Sequence, residues 1–229
     1  MYLLLIETAT TVCSVALANE QGIVAEKRST QPNAHSSQLS PFIGRLLEEN
    51  GLKPSALNAV CVSSGPGSYT GLRIGVSTAK GFCYALQIPL LSVPTLQGMA
   101  SLYFMQHPDY HGWVCPMIDA RRMECYTAFY SPSDVVRPVQ ADIITEGIYN
   151  DYLDRHEVVF FGDGAAKCFP LLGWHPNARI DEHFSISAAG LLPWALSQLH
   201  EGHGEDVAYF EPFYLKDFVA KKSVVRGLH

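Results

Sequence analysis

Residues 59–75 have the sequence AVCVSSGPGSYTGLRIG, and this stretch decides the fold. The apolar run at its start predicts a short buried strand, and the helical spacing of apolar residues at its end predicts a helix over about residues 70–86. Between them, two glycines around Pro66 and three hydroxyl side chains are typical of a tight turn that caps a helix. A strand, a glycine-rich turn and a helix in this order form the repeating unit of α/β proteins.

The loop from Gly65 to Gly71 has the spacing GxGxxxG, which matches neither the GxxxxGK[ST] nor the GxGxxG phosphate motif. Two interpretations are open. In the first, backbone N–H groups and the helix N-terminus cradle an anion. In the second, the loop is only a tight turn in which Ser68 or Thr70 caps the helix. The second is favoured because no lysine follows within reach of a phosphate.

The elements around this loop alternate between strands and helices, which favours an α/β fold with mixed sheets. In the first half, strands are predicted at residues 2–6, 14–18, 23–27, 59–63 and 90–93, and helices at 36–49, 70–86 and 95–106. In the second half, strands are predicted at 114–118, 125–130 and 158–161, and helices at 146–155 and 187–200, with an irregular, fraying tail from residue 209. The segment HPDYHG (residues 107–112) predicts a boundary between an N-terminal lobe, 1–106, and a smaller C-terminal lobe, 107–229. A similar strand–glycine–helix unit in each lobe indicates an internal duplication.

Composition excludes several classes of protein. The 229 residues are 48% hydrophobic and 17% charged, which indicates a folded chain. The net charge of −6 argues against independent binding to nucleic-acid phosphates. The N-terminus MYLLLIETAT lacks a basic region, and no apolar run approaches the roughly 20 residues that span a bilayer. Six cysteines without CxxC spacing indicate reduced thiols. We therefore expect a cytoplasmic protein with no membrane association.

The helix at 70–86 has apolar residues on two opposite sides. Large residues form one side (Leu72, Val76, Ala79, Phe82, Cys83 and Leu86), and mostly small residues form the other (Ile74, Thr78, Gly81 and Ala85). A helix that is apolar on both sides requires burial on both. One side would pack on the sheet, and the small side would let a second helix approach closely. A subunit interface is slightly favoured over burial within one domain.

A second group of residues would border a nucleotide if the chain bound one. A carboxylate at the end of the first strand could orient a metal ion or water, and the glycines of GDGAAK (162–167) form a second turn between a strand and a helix. A turn explains the segment after the first strand equally well, and a tight turn is the favoured reading of GDGAAK. The members of this degenerate nucleotide site are Glu7, Thr8, Thr10, Gly65, Gly67, Gly162 and Gly164.

Four segments together resemble the bacterial TsaB family, formerly called YeaZ, along the whole chain. They are LLIETATTVCSVAL, SSGPGSYTGLRIGVSTAKGFCYALQIPLLSVPTLQGMA, MIDARRMECYTAFY and PFYLKDFVAKK. The resemblance implies an actin-like, Hsp70-like ATPase fold of the ribonuclease H-like type. It has two lobes with mixed sheets, the second of them truncated.

The resemblance also implies a function. TsaB-like proteins are non-catalytic partners that bind and activate their paralogue TsaD, which places threonylcarbamoyl on N6 of adenosine in tRNAs that read ANN codons. TsaE joins the larger complex, tRNA is contacted indirectly through that complex, and the chain alone forms a homodimer. No cofactor is expected.

Two positions depart from the TsaD pattern. Thr95 and Met99 stand where TsaD-like proteins carry a histidine pair that binds metal. A hydroxyl and a thioether are poor ligands for a hard or borderline metal. We therefore expect no metal and no transferase site in this chain.

The expected partner-binding surface lies on the helices at 36–49 and 70–86. Its residues are Leu39, Ile43, Leu46, Leu72, Arg73, Val76, Ser77, Lys80, Gly81, Cys83, Tyr84 and Ala85. The alternative function is an ATPase or transferase of the actin-like fold with its own nucleotide site. A peptidase, or a chaperone of one, is a third reading, and no nucleophile–base or metal constellation supports it.

Overall fold

The computed structural model describes residues 1–216 and contains two five-stranded mixed sheets. The first has the order β3-β2-β1-β4-β5, with strands β1 (Leu3–Glu7), β2 (Cys13–Asn19), β3 (Gly22–Ser29), β4 (Ala59–Ser63) and β5 (Leu90–Val93). Three helices come from the same half of the chain: α1 (Ala34–Glu49), α2 (Tyr69–Leu86) and α3 (Thr95–Gln106). Strand β1 is antiparallel to β2 and parallel to β4. The predictions for this half are confirmed to within two residues.

The second sheet repeats the topology of the first. Its strands are β6 (Trp113–Asp119), β7 (Glu124–Tyr130), β8 (Val135–Ile143), β9 (Val158–Phe161) and β10 (Ala178–Asp181), and its helices are α4 (Asn150–Leu153), α5 (Ala165–Leu172) and α6 (Leu192–His200). The order β8-β7-β6-β9-β10 matches β3-β2-β1-β4-β5 strand for strand, as an internal duplication requires. The predicted truncation lies in the helices. Helices α4 and α5 have 4 and 8 residues, whereas α1 and α2 have 16 and 18.

Three predictions for the second half are wrong or incomplete. The helix expected at 146–155 is confined to α4, because Gly147 adopts a φ of +75° that interrupts a right-handed helix. The helix expected from residue 187 begins as a 3₁₀ turn at Ala188–Leu191, and Pro193 lies in the first turn of α6. Strands β8 and β10 are not evident from the sequence, because both are sheet edges with few buried side chains.

Both sheets are covered on both faces, and the covering segments are exchanged between the halves of the chain. On the first sheet, α1 and α2 pack on one face, and the turn Ala188–Leu191 packs with α6 on the other. On the second sheet, α4 and α5 pack on one face and α3 on the other. The predicted division at residue 106 therefore separates the two sheets but not the two packed units. Helix α3 belongs to the second core, and α6 belongs to the first.

The exchanged segments cross at two glycines. A Cβ atom added to Gly190 would lie 2.2 Å from the carbonyl oxygen of Gly98, and one added to Gly98 would lie 2.8 Å from the side chain of Leu191. The first distance is to backbone and leaves no room for a side chain at Gly190, whereas a side chain at Gly98 would require the end of the Leu191 side chain to shift. Backbone contact at this crossing ties the two units together.

The segment before residue 217 is irregular, as predicted, but it is packed rather than frayed. Phe210 packs against the core under α1 and α2, and the Phe213 N–H donates to the carbonyl of Ser64 at 2.7 Å. The rest of the predicted tail, residues 217–229, lies outside the described residues. Within residues 1–216, no helix combines the length and the apolar character needed to cross a bilayer.

Candidate functional site

A cleft of about 830 Å³ opens between the two units. Five segments supply most of its walls: residues 9–11 after β1, 30–35 before and at the start of α1, 66–70 before α2, 118–121 at the end of β6, and 214–216 near the C-terminus. The glycine-rich loop that opened the sequence analysis therefore lies at the cleft wall. Its geometry decides between the two interpretations of that loop.

The chain itself fills the space beside the loop glycines. A Cβ atom on Gly67 would lie 2.3 Å from the carbonyl oxygen of Ala9, and one on Gly71 would lie 2.1 Å from the carbonyl oxygen of Thr8. The Ser68 N–H donates to the same Ala9 oxygen at 2.6 Å. The Ala9 carbonyl oxygen thus takes up a loop N–H donor that an anion cradle would need. The loop is a tight turn, and Ser68 caps α2 by accepting from the Gly71 N–H at 3.2 Å.

The same close approach continues into α2 and across the loop. A Cβ atom on Gly75 would lie 2.2 Å from Thr8 Oγ1, and one on Gly65 would lie 2.3 Å from the carbonyl oxygen of Phe213. Glycine is therefore needed at these positions so that the end of β1 and the C-terminal segment can pack against backbone. The glycines position α2 rather than a ligand.

The two positions assigned to a histidine pair by the family resemblance have structural roles. Thr95 is buried, and its Oγ1 accepts from the Gly65 N–H at 3.1 Å. Met99 is buried, and a Cβ atom on Gly162 would lie 2.7 Å from its terminal methyl group. Both side chains hold glycine turns in place. Among residues 1–216, no three His, Cys, Asp or Glu side chains cluster as metal ligands would.

The second glycine turn is also filled by the chain. The ideal Cβ of Gly162 would lie 2.4 Å from the Met117 carbonyl oxygen, and that of Gly164 would lie 2.9 Å from Cys125 Sγ. Between them, Asp163 accepts from the Asp119 N–H at 2.9 Å. Burial raises the pKa of Asp163.

Lys167 fixes a hairpin at the cleft wall, and no sequence motif indicates this role. Its ammonium lies 2.6 Å from Asp119 Oδ1, 2.7 Å from the Arg122 carbonyl oxygen and 2.8 Å from the Glu124 carbonyl oxygen. Despite partial burial, hydrogen bonding to Lys167 lowers the pKa of Asp119. Arg121 and Arg122 adopt φ values of +75° and +52°, which arginine rarely does. The β6–β7 turn is missed by sequence rules because those rules expect glycine or asparagine at these positions.

Glu7 lies beneath the loop rather than in the cleft. It is 1% exposed and accepts from the Ala9 N–H at 2.6 Å and from Ser63 Oγ at 3.0 Å. Burial raises its pKa to about 7, although these hydrogen bonds oppose the shift. Thr8 Oγ1 is buried and finds no partner in the described part of the chain.

The seven residues predicted to border a nucleotide are therefore mostly not in the cleft wall. Only Thr10 and Gly67 line it. The other five are Glu7, Thr8, Gly65, Gly162 and Gly164. The first two are buried under the loop. The three glycines are packed closely against other parts of the chain. The prediction of a nucleotide at this place loses most of its support. The cleft wall also contains Arg121 and Lys216, which the sequence did not single out.

The structure shows which side of α2 is buried against the sheet and which is exposed. Of the large residues, Leu72, Val76, Ala79 and Cys83 are at most 3% exposed, and the last three pack in the first core with residues of α1. Phe82 and Leu86 are half-buried and pack against the same core. Half of the predicted partner surface is therefore wrong, because six members are buried in the chain's own core. They are Leu39, Ile43, Leu46, Leu72, Val76 and Cys83.

Only part of the small side of α2 faces outward: Gly81 and Ala85 are exposed, whereas Ile74 and Thr78 are half-buried and Ile74 packs against the first core. Arg73, Ser77, Gly81, Tyr84 and Ala85 are exposed, and Tyr84 is 75% exposed. No atom lies within 4 Å of an ideal Cβ on Gly81. For these five residues the predicted role in partner binding stays a prediction.

Lys80, the twelfth predicted residue, has a role within the chain. It is half-buried, and its ammonium donates to the carbonyl oxygens of Ala208 and Phe210 at 3.1 and 2.9 Å. These bonds hold the C-terminal segment along α2.

Comparisons with known proteins agree on one family. The family model described as "TsaD: tRNA N6-adenosine threonylcarbamoyltransferase" matches residues 9–148. The chain is 31% identical over 231 residues to the tRNA threonylcarbamoyladenosine biosynthesis protein TsaB of Escherichia coli, with 98% of each chain covered. It is 32% identical to the protein of the same name from Haemophilus influenzae, with 97% of this chain and 96% of that one covered.

A solved structure supports the fold. YeaZ from Pseudomonas aeruginosa superposes with a TM-score of 0.75 at 26% identity, covering 93% of this chain and 99% of that one. The predicted actin-like architecture is confirmed by this similarity and by the two repeated mixed sheets.

The glycines of α2 provide a matched test of their roles. Gly75→Ala should lower the free energy of unfolding by about 1–3 kcal/mol, because the new methyl group meets Thr8. Gly81→Ala should raise it by about 0.5–1 kcal/mol, because the site is open and alanine favours the helix. Urea denaturation of both variants measures the difference. Equal effects at the two positions would contradict the packing role of Gly75.

Glu7 should make stability depend on pH. The folded chain holds its proton up to about pH 7, whereas the unfolded chain releases it near the ordinary value of 4.5. The free energy of unfolding should therefore fall as pH rises through this window, by about 3 kcal/mol in total. Glu7→Gln keeps an acceptor oxygen without the titration, so denaturation from pH 4.5 to 8 should show a flatter profile than wild type.

The control for this test is Glu48→Gln, which changes an exposed carboxylate on α1. Its pH profile should match that of wild type. A Glu7→Gln profile that also runs parallel to wild type would refute the raised pKa.

Proposed function

The chain belongs to the TsaB family, and we propose that it is a non-catalytic subunit of tRNA threonylcarbamoyladenosine biosynthesis that binds and activates TsaD. TsaE would join the larger complex, and tRNA would be contacted through it. The chain would form a homodimer when its partner is absent. These assignments follow from the family and are supported by three features of the molecule.

The outward side of α2 is the observation that carries the proposal. Ser77, Gly81 and Ala85 leave a strip of the helix without bulky side chains, and the position of Gly81 is open to solvent. Glycine inside a helix costs roughly 1 kcal/mol relative to alanine. Close approach of a second helix would offset this cost, since interhelical distances depend on the side chains at the contact. Arg73 and Tyr84 flank the strip and supply the residue types enriched at interfaces.

Helix α1 lies beside α2 and extends the surface. Its outward residues include Ser37, Pro41 and Gly44, and an ideal Cβ on Gly44 also has no neighbour within 4 Å. Two adjacent helices with small outward residues form a face on which an equivalent pair of helices could pack. A paralogue with a related fold, such as TsaD, would offer such a pair. A second copy would do so through a two-fold axis.

The non-catalytic role is supported by the internal use of the residues that a catalytic site would need. Carbonyl oxygens of Thr8 and Ala9 fill the loop, and Thr95 and Met99 hold the glycine turns. The net charge of −6 fits a subunit that leaves tRNA phosphates to its partner.

The decisive variant is Ala85→Arg. Ala85 is exposed near the end of α2, where a positive charge suits the helix dipole, so folding should be unaffected. Binding to TsaD should weaken by about 3–5 kcal/mol, because the docked arginine would be both a steric clash and a buried, unpaired charge. Thermal unfolding of the chain alone and titration calorimetry with TsaD measure the two effects.

Ser197→Arg is the matched control. Ser197 is exposed near the end of α6, which covers the opposite face of the same sheet. This variant should bind TsaD as wild type does. Intact binding by Ala85→Arg would exclude the outward side of α2 as the interface. ATP turnover by the isolated chain that Arg121→Ala abolishes would favour the ATPase alternative instead, since Arg121 lies in the cleft wall.

A further inference from the structure

We propose that Cys125 and Cys168 form a redox-active pair, which closes to an intramolecular disulfide when a peroxide oxidises it. Cys125 lies on β7 and Cys168 on α5, and both are fully buried in the second core. Their Sγ atoms are 3.5 Å apart, within hydrogen-bond distance for sulfur. This site is separate from the proposed docking face on α2.

The six cysteines are not equivalent. Cys125–Cys168 is the one thiol–thiol hydrogen bond found within residues 1–216. Cys125 also lies within hydrogen-bond distance of the Gly164 carbonyl oxygen, at 3.6 Å, and Cys83 donates to a carbonyl oxygen, that of Pro89, at 3.3 Å. A charged side chain also lies next to this pair in the sequence and close to it in the fold.

That neighbour is Lys167. It directly precedes Cys168, and its ammonium lies 2.8 Å from the carbonyl oxygen of Glu124, the residue before Cys125. The hydrogen bond from Cys125, assisted by the positive charge of Lys167, lowers the pKa of Cys168. A thiolate beside a cation is the form of cysteine that reacts with peroxides.

The reaction balances with hydrogen peroxide as the oxidant. The Cys168 thiolate attacks one peroxide oxygen, the O–O bond breaks, and hydroxide leaves and takes the proton of the Cys125 thiol to become water. The Cys125 thiolate then attacks the sulfenic sulfur of Cys168, the S–S bond forms, and the S–O bond breaks. The second hydroxide takes a proton from solvent. Each sulfur loses one electron, and the peroxide is reduced to two waters.

Helix α5 offers access to the buried pair. It has only eight residues, and Pro170 within it removes one backbone hydrogen bond, so local opening should require little energy. The disulfide would join α5 to β7 beside Lys167, which also fixes the hairpin of Asp119 to Glu124 at the cleft wall. Formation of the disulfide would therefore change the position of the hairpin at the cleft wall.

The test uses the folded full-length chain and dilute hydrogen peroxide. The count of free thiols should fall by two from six, the mass should fall by about two hydrogens, and dithiothreitol should reverse both changes. Peptide mapping without reductant should link Cys125 to Cys168. Cys125→Ser and Cys168→Ser should each abolish the link, whereas Cys83→Ser, the control, should still lose two thiols.

Three results would overturn the proposal: thiols that stay free in the folded chain while the unfolded chain oxidises, a link that uses another cysteine, or oxidation of Cys168 that stops at the sulfinic acid. The mapping of wild-type protein decides among these without any variant, so a serine variant that fails to fold leaves the test intact.

Discussion

The close packing of Thr8 and Ala9 against glycines of the loop and of α2 is the constraint on which the rest of the structure depends. Carbonyl and hydroxyl oxygens at the end of β1 approach the backbone at Gly67, Gly71 and Gly75 so closely that no side chain fits there. This contact sets how deeply α2 sits on the first sheet. With the helix at that depth, Val76, Ala79 and Cys83 enter the core, and Ser77, Gly81 and Ala85 face outward. The same contact fills the loop with the protein's own oxygen atoms. One packing arrangement thus brings the protein's own oxygen atoms against the loop and leaves Ser77, Gly81 and Ala85 of α2 exposed.

The exchange of α3 and α6 gives this arrangement a stable frame. Each sheet is apolar on both faces, and each half of the chain covers one face of its own sheet and one face of the other. The crossing at Gly98 and Gly190 leaves little space for the units to slide apart. The walls of the cleft are therefore held from both sides, including the hairpin fixed by Lys167.

The first half of the fold could be predicted from the sequence, because its strands and helices have strong periodicity and clear ends. The second half was harder for physical reasons. Edge strand β8 alternates between exposed and half-buried residues and gives no apolar run. The helix expected at 146–155 is interrupted by Gly147, whose positive φ leaves no trace in the spacing of hydrophobic residues.

For the site, periodicity showed that α2 has two apolar sides, but it could not show which of them packs on the sheet. That choice depends on Gly71 and Gly75, because only glycine lets Thr8 approach the helix backbone at these two positions. Lys167 and the Cys125–Cys168 pair were missed because their partners come from distant parts of the chain.

A glycine-rich loop between a strand and a helix has one geometric requirement, which is that something must approach the backbone without a side chain in between. A phosphate meets this requirement in nucleotide-binding proteins, and a neighbouring turn of the same chain meets it here. The two kinds of loop share a sequence pattern because both bring atoms close to the backbone, so composition alone does not distinguish them. They differ in the charge of the approaching atoms. The carbonyl oxygens of Thr8 and Ala9 bring partial negative charge to this loop, and the Ala9 oxygen accepts the Ser68 N–H. In this chain the loop orients α2, and under the proposed function the outward face of that helix, rather than the loop, would meet the partner.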